Sequence, residues 1–325
     1  QPIIRGMSGP RVKILKNGVV NRDVSGLGVD HLNDVDLHDI SQVEIVKGPS
    51  SLLYANGTIG GIINVVDDCI SALNYELPEI SVGYETQSVN DGNAENFNFK
   101  NNINGFNVNF GYKNIDFGNY DIPSGAILHE EEDHDDHDDH DEDEHHDEDM
   151  GFLNNSDYAV EATKFGISKV GDWGYVGFSV DNLESVYGIP FHGDEHGDEH
   201  GDEHGDEHGD EEEHDEHGEE RIFSTTDSES FTIKGSYNIN GSLINKIDFN
   251  YRDSDYSLTE AHEEEEHHEE DEHDEEEEHE EHAPTVFMNE AVEYGATFDI
   301  SNDSSTQKVV VNFVDEDNSI VGEEA

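Results

Sequence analysis

The chain has 325 residues, with 81 Asp and Glu against 15 Lys and Arg and a formal net charge of −66. A polyanion of this size is repelled by nucleic acid and by an anionic lipid surface, so what it attracts electrostatically is cationic. Hydrophobic residues make up only 32%, below the roughly 45–50% of an ordinary globular chain, and no run reaches the roughly 18 apolar residues of a transmembrane helix.

Residues 1–75 carry short apolar runs separated by glycine. Arg11-Val-Lys-Ile-Leu15, Val43-Glu-Ile-Val46 and Gly60-Gly-Ile-Ile-Asn-Val-Val66 read as strands. Gly48-Pro49 opens a brief helix through Tyr54, because proline suits a first helical turn. The unit is small and α+β. Cys69 is the single cysteine, so there is no internal disulfide framework and no thiolate metal site. It reads as an incidental small residue. His38 reads as surface. Asp30-His31, taken from the residues alone, is a turn with an exposed histidine. No secretory leader is visible, and the chain reads as a piece of a longer mature protein.

From about residue 76 the apolar residues alternate with polar ones, as half-exposed strands require. The series are Phe97 and Phe99; Phe106, Val108, Phe110 and Tyr112; Val176, Phe178 and Val180; Phe231, Ile233, Tyr237 and Ile239; Ile247, Phe249 and Tyr251; Val292 to Ile300; and Val309, Val311 and Phe313. Short turns fall at 102–105, 170–173, 238–241 and 301–304, two of them with Asn-Gly, a strong hairpin signal. Long connections at 117–156, 186–228 and 256–290 fall on the opposite end by strand parity. Short turns on one end and long loops on the other is the asymmetry of an outer-membrane β-barrel. A soluble up-and-down barrel also alternates, but with its apolar face inward. Trp173, Tyr175 and Tyr237, near the short turns, are candidates for an aromatic girdle. About nine strands fit, the first part of a larger barrel.

The charge is concentrated in the long connections. Runs at 129–149, 192–220 and 262–282 hold 46 of the 81 acids and 19 of the 21 histidines. Their histidines are His129, His134, His137, His140, His145 and His146; His192, His196, His200, His204, His208, His214 and His217; and His262, His267, His268, His273, His279 and His282. Acidic runs are ordinarily solvating disorder. Histidine confined to them adds a metal-binding composition. Imidazole nitrogen and carboxylate oxygen are ordinary zinc ligands, and imidazole also suits copper, nickel and iron. Gly-Asp-Glu-His tetrads between Gly193 and His208 disfavour a helix through glycine and like charge and favour a chain that wraps ions. Calcium fits less well, since it takes oxygen ligands and no EF-hand loop is present.

Gln1-Pro-Ile-Ile-Arg-Gly-Met-Ser-Gly-Pro-Arg-Val12, Gln42-Val-Glu-Ile-Val-Lys-Gly-Pro-Ser-Ser-Leu-Leu-Tyr54 and Gly57-Thr-Ile-Gly-Gly-Ile-Ile-Asn-Val-Val66 resemble the plug of TonB-dependent outer-membrane receptors. In that resemblance Arg5, Gly6, Gly48 and Pro49 serve the fold. The loops, together with Val29-Asp30-His31, resemble the zinc-uptake subfamily, in which such an Asp-His pair contributes to a metal site. The resemblance implies a mainly β chain: a plug domain at 1–75, then an incomplete antiparallel transmembrane β-barrel at 76–325. It implies a Gram-negative outer-membrane receptor in contact with outer-membrane lipid, its His-rich loops extracellular, importing Zn2+ as cargo through plug motion driven by the TonB complex. The expected metal residues are Asp30, His31 and the loop histidines. No organic cofactor is expected. No nucleophile–base pair or nucleotide loop points to an enzyme. The other readings are a surface metal-buffering or adhesion barrel, and a receptor for haem, copper or nickel. Glu323 and Glu324 could line a lumen.

Overall fold

The computed structural model describes residues 2–24, 31–33, 35, 37, 39–55, 57–124, 126, 151–190, 221–239, 241, 243–263, 284–302 and 305–322. The N-terminal unit has four strands: β1 Val12–Lys16, β2 Val19–Val20, β3 Ile40–Val46 and β4 Gly61–Asp67. Their order is β2-β1-β4-β3, with β1 and β4 parallel. The expected helix after Gly48 is a 3-10 turn, Pro49–Leu53. Gly61 starts β4 at φ +140, where a Cβ would lie 2.8 Å from the Val46 carbonyl oxygen. Only glycine lets β3 and β4 close there. Leu15 and Ile62 are buried on one side of this sheet, and Val19 and Val65 on the other.

A wall of long strands follows: β5 Glu79–Gln87, β6 Gly92–Ile103, β7 Phe106–Phe117, β10 Tyr158–Gly171, β11 Gly174–Gly188, β12 Arg221–Asn238, β13 Ile244–Glu263, β14 Thr285–Asn302 and β15 Ser305–Val321. A two-residue pair, β8 Tyr120–Asp121 and β9 Phe152–Leu153, sits in the first long connection. The wall is one nine-stranded sheet in chain order, each strand antiparallel to its neighbour. Asn104 and Gly105 both take positive φ, 53° and 82°, the type I′ geometry that matches hairpin twist. The short turns lie at one end of the wall and the long connections at the other.

The faces are inverted relative to a soluble barrel. Ser179, Ser185, Ser224, Thr226, Thr232 and Ser236 are buried, and these positions meet the N-terminal unit. Phe178, Val180, Phe231, Tyr294 and Phe313 are exposed on the other side. A ladder of rings, Phe178–Phe231–Tyr251–Tyr294, crosses four strands there with centroids 5.2–6.3 Å apart. Apolar outside and polar inside is the pattern of a barrel wall facing lipid. Trp173 and Tyr237 are exposed and lie 6.4 Å apart at the short-turn end. Tyr175 differs from the girdle expectation. It shares the inward parity of Gly177 and Ser179, because Val176 beside it faces out.

The strands also run further than the apolar pattern marks. β12 begins at Arg221 and β13 ends at Glu263, inside the connections expected at 186–228 and 256–290.

Candidate metal site

His31 lies on the segment joining β2 to β3, which reaches toward the long-connection end of the wall. Val24 anchors that segment in a buried cluster with Tyr187, Ile189, Ile222, Tyr256 and Leu258. The backbone N–H of Leu32 donates to the Tyr187 hydroxyl at 3.5 Å. His31 is only 7% exposed, which corrects the turn-with-exposed-histidine reading. Its ring stands edge-on to Phe287, with centroids 5.8 Å apart. Its Nδ1 is buried and has no hydrogen-bond partner among the described residues. A buried polar atom left unpaired costs about 1–3 kcal/mol, which a ligand on that nitrogen recovers.

Glu260 is a candidate second donor. It pairs in register with Ser224 and Thr285. Two residues away on the same face, Leu258 pairs with Phe287, the ring against His31. Glu260 Oε1 and the Ser224 hydroxyl are buried and unpaired among the described residues. Two residues further, His262 is exposed at the rim opposite Ile222. Along the inward face of β13, potential ligands therefore descend from exposed His262, through Glu260, to the level of His31.

Imidazole and carboxylate are two of the four ligands of a tetrahedral zinc site. Among the described residues no group of three or more His, Cys, Asp or Glu could hold a metal. Asp30 lies outside the described residues, as do the loop histidines His129–His146, His192–His217 and His267–His282, together with His38, Glu323 and Glu324. Sequence reasoning missed Glu260 because it falls in a stretch assigned to a connection. The signal was there: Tyr256, Leu258, Glu260 and His262 continue the two-residue period of β13.

Nearer the short turns, ion pairs join the N-terminal unit to the wall. Lys16 Nζ lies 2.6 Å from Asp181 and 3.9 Å from Asp67. Arg22 lies 3.1 Å from Glu293 and 3.4 Å from Glu316. Lys100 Nζ lies 2.9 Å from Asp39. Burial pulls the Lys16 ammonium down, but the carboxylates of Asp181 and Asp67 outweigh it and hold its pKa above the ordinary lysine value. Burial likewise pushes Asp67 up, and Lys16, Lys164 and hydrogen bonds from Asn17 and the Cys69 N–H reverse this, leaving it below the usual 3.8. Burial, then the charges of Asp181 and Asp67, push the Cys69 thiol well up, so it is not a thiolate ligand.

The segment after β4 is stapled to the wall. Asn109 Nδ2 donates to the Asp68 carbonyl at 3.2 Å, Ser168 Oγ to Ser71 at 2.7 Å and Asn107 Nδ2 to Leu73 at 3.0 Å.

Residues 1–62 match the family described as TonB-dependent Receptor Plug Domain. The hemin receptor of Yersinia enterocolitica is 34% identical over 87 residues, 26% of this chain and 12% of that protein. The vitamin B12 transporter BtuB of Vibrio vulnificus (strain CMCP6) is 29% identical over 85 residues, 26% of this chain and 14% of that protein. Among solved structures, the copper transporter OprC superposes with a TM-score of 0.65 at 10% identity, covering 98% of this chain and 41% of that one. The FrpB iron transporter from Neisseria meningitidis (F3-3 variant) gives 0.62 at 11% identity, covering 98% and 43%. The chain thus spans about two-fifths of the length of these solved structures. Its fold is that of the TonB-dependent receptors: a plug domain followed by part of an antiparallel β-barrel wall, packed against it.

Proposed function

We propose that this chain is the plug and first wall strands of an outer-membrane receptor that captures divalent metal, zinc foremost, and imports it by TonB-driven motion of the plug. The observation that carries the reading is His31: a buried imidazole with an unpaired nitrogen, on the plug, below a face of β13 that presents Glu260 and His262. The three His- and acid-rich runs supply capture. Their charge concentrates cations at the mouth, and their ligands are many and interchangeable. Sites built from many interchangeable ligands bind weakly, so the runs hand the ion down to His31 and Glu260. The outward apolar face and the aromatic ladder suit an outer-membrane setting. Zinc leads because neutral imidazole with carboxylate is its usual donor mixture. Copper is the second cargo, since the same imidazoles suit it.

Calorimetry on the full-length receptor tests the reading. Deleting residues 129–149, 192–220 and 264–282, which leaves β13 intact, should remove the weak zinc sites and leave a tight one. Unchanged stoichiometry refutes capture by the loops. A receptor-deleted strain whose growth is rescued by excess zinc, but not by iron, copper or haem, fixes the cargo. Absence of any zinc-dependent defect leaves a metal-buffering or adhesive barrel instead.

A further inference from the structure

β4 of the plug ends at Asp67 and β5 of the wall begins at Glu79, so the plug hangs on a linker of residues 68–78. The seat of that linker is two neighbouring rows across β7, β10 and β11, near the short turns. One row is Asn107, Ser168 and Gly177, and the other is Asn109, Gly166 and Ser179. The sequence writes the seat as Asn-x-Asn, Gly-x-Ser and Gly-x-Ser, one pair on each strand. The glycines leave room for the linker: a Cβ at Gly166 would strike the Cys69 carbonyl oxygen, and one at Gly177 would lie 2.6 Å from Ile70 Cγ2. Asn107, Asn109 and Ser168 are buried beside them. The two rows hold the linker unequally. The Asn109 row has one bond, to the Asp68 carbonyl at 3.2 Å. The Asn107 row has three. Ser168 Oγ donates to the Ser71 carbonyl at 2.7 Å, Asn107 Nδ2 donates to that of Leu73 at 3.0 Å, and the Tyr75 N–H donates to Asn107 Oδ1 at 3.1 Å. Beyond it, Asn102 Nδ2 donates to Asn74 Oδ1 at 3.2 Å. These contacts are neutral. The pairs that hold the rest of the plug are ionic: Lys16 with Asp181, Arg22 with Glu293 and Glu316, and, beside the seat, Lys100 with Asp39.

We propose that the linker from Ile70 to Tyr75 stays docked during import and that the plug swings about Asp67–Cys69. The inference rests on the plug-driven import proposed above and adds how far and which way the plug moves. A linker that left its seat would let the plug travel the reach of residues 68–78, roughly 35–40 Å. One held at Ile70 leaves only Asp68 and Cys69 free, roughly 7 Å. That slack permits rotation and not withdrawal. The pivot falls at Asp67–Cys69 because opening there gives up one bond to the wall, whereas lifting the rest of the linker gives up those of Ser71, Leu73 and Tyr75 together and leaves buried polar groups of the Asn107 row without partners. The direction follows from where the seat lies. β14 is three strands along the wall from β11, about 14 Å away. The parts of the plug that meet β14 and β15 therefore move furthest. Arg22, held by Glu293 and Glu316, and His31, against Phe287, are those parts. The swing opens the interface on the side that holds His31.

The test puts cysteines where two side chains already touch. Asn74→Cys and Asn102→Cys are made in full-length receptor whose other cysteines, Cys69 included, are replaced by serine, and are joined by a short reducible thiol cross-linker. Uptake of radiolabelled zinc by cells is measured before joining, after joining and after reduction. The expected result is equal uptake in all three. Uptake that is lost on joining and returns on reduction overturns the proposal, because the linker then has to leave its seat. Receptor that imports no zinc even without substitutions refutes the import reading instead. In that case, or should the double variant not fold, maleimide labelling in rising urea decides. Cys69 should open to the reagent roughly tenfold or more faster than Ser71→Cys in receptor carrying Cys69→Ser, each rate taken relative to the same thiol in fully unfolded receptor. Equal rates overturn the proposal, because pivot and anchor then open as one.

Discussion

Asp181→Asn should loosen the plug, and Cys69 can report it. Asp181 accepts from Lys16 Nζ at 2.6 Å, and both side chains are 15% exposed. The substitution keeps the shape and removes the charge, leaving Lys16 with Asp67 at 3.9 Å. Breaking one side of a buried pair costs about 3–5 kcal/mol. The remaining carboxylate and the residual exposure place this one at the lower end, about 3 kcal/mol. Cys69 is 3% exposed, hydrogen-bonded through its N–H to Asp67 at 3.0 Å, and packed against Gly166 of β10. Its thiol reacts only when that junction opens. With opening and closing fast relative to reaction, about 3 kcal/mol raises maleimide labelling by roughly two orders of magnitude. The assay is full-length receptor with any cysteine outside these residues replaced, labelled under native conditions and read by mass spectrometry. An unchanged labelling rate refutes the reasoning, because it means the ion pair contributes nothing to holding the plug. The pH dependence carries a further check. Lys16 has a raised folded pKa, so its contribution is complete below the ordinary lysine value and is lost only as pH rises through the folded one. Asp67 has a depressed one, so its contribution is present above its ordinary 3.8 and is lost as pH falls through the folded value. Labelling corrected for thiol ionisation should therefore be flat through neutral pH and rise in strong acid.

Four further outcomes follow. His31→Ala and Glu260→Gln should each weaken the tight zinc site roughly tenfold or more in competition with a chromophoric chelator, while leaving the loop stoichiometry unchanged. Zinc capture by the loops should fall as pH drops through about 6–6.5, where free imidazole gains its proton, read by calorimetry at two pH values. Gly166→Ala places a Cβ against the Cys69 carbonyl oxygen, a backbone atom, so overpacking should destabilise the docked linker by about 1–3 kcal/mol and raise Cys69 labelling. On the outward face, Glu229, Asp255, Glu290 and Asp317 stand directly opposite one another across four strands. Like charges so placed are destabilising, each pair by about 0.2–1 kcal/mol, so Asp255→Asn should raise the wall's melting temperature, with a gain that shrinks in high salt.

Periodicity carried most of the wall into view, because a strand facing lipid on one side must alternate. It could not show where strands end. Beyond the apolar band the outward residues of β12 and β13 turn polar, while Ile222, Tyr256 and Leu258 are apolar and inward, so Thr225–Glu229 and Ser257–Glu263 do not continue the outward alternation and read as loop. Glu260 was lost for that reason. Nor could periodicity separate an inward polar residue from a solvated one. Asp181, Arg252 and Glu293 look like ordinary surface charge in the sequence, and only the docked plug makes them buried. His31 is the converse case. Nothing local in Val29-Asp30-His31 demands burial; it comes from Val24 and Leu32, which fix the segment to Tyr187 on β11.

The charge imbalance acquires a spatial logic from this arrangement. The chain has 15 bases for 81 acids, and the bases are not spread as neutralisers of the acidic runs. Lys16, Arg22, Lys100, Lys164 and Arg252 are buried or half-buried where the plug meets the wall. Three of them, Lys16, Arg22 and Lys100, pair across that interface with Asp181, Glu293 and Asp39. On the proposed import route, a cation leaving His31 therefore meets a layer of ion pairs that joins the plug to the wall. Import by plug motion then requires that interface to separate. Locking it with a reducible thiol-reactive cross-linker between Lys16→Cys and Asp181→Cys, in receptor whose Cys69 is replaced by serine, should leave zinc binding at His31 intact and abolish uptake, with uptake restored on reduction. Uptake that persists in the cross-linked form would mean that the ion crosses without parting these residues.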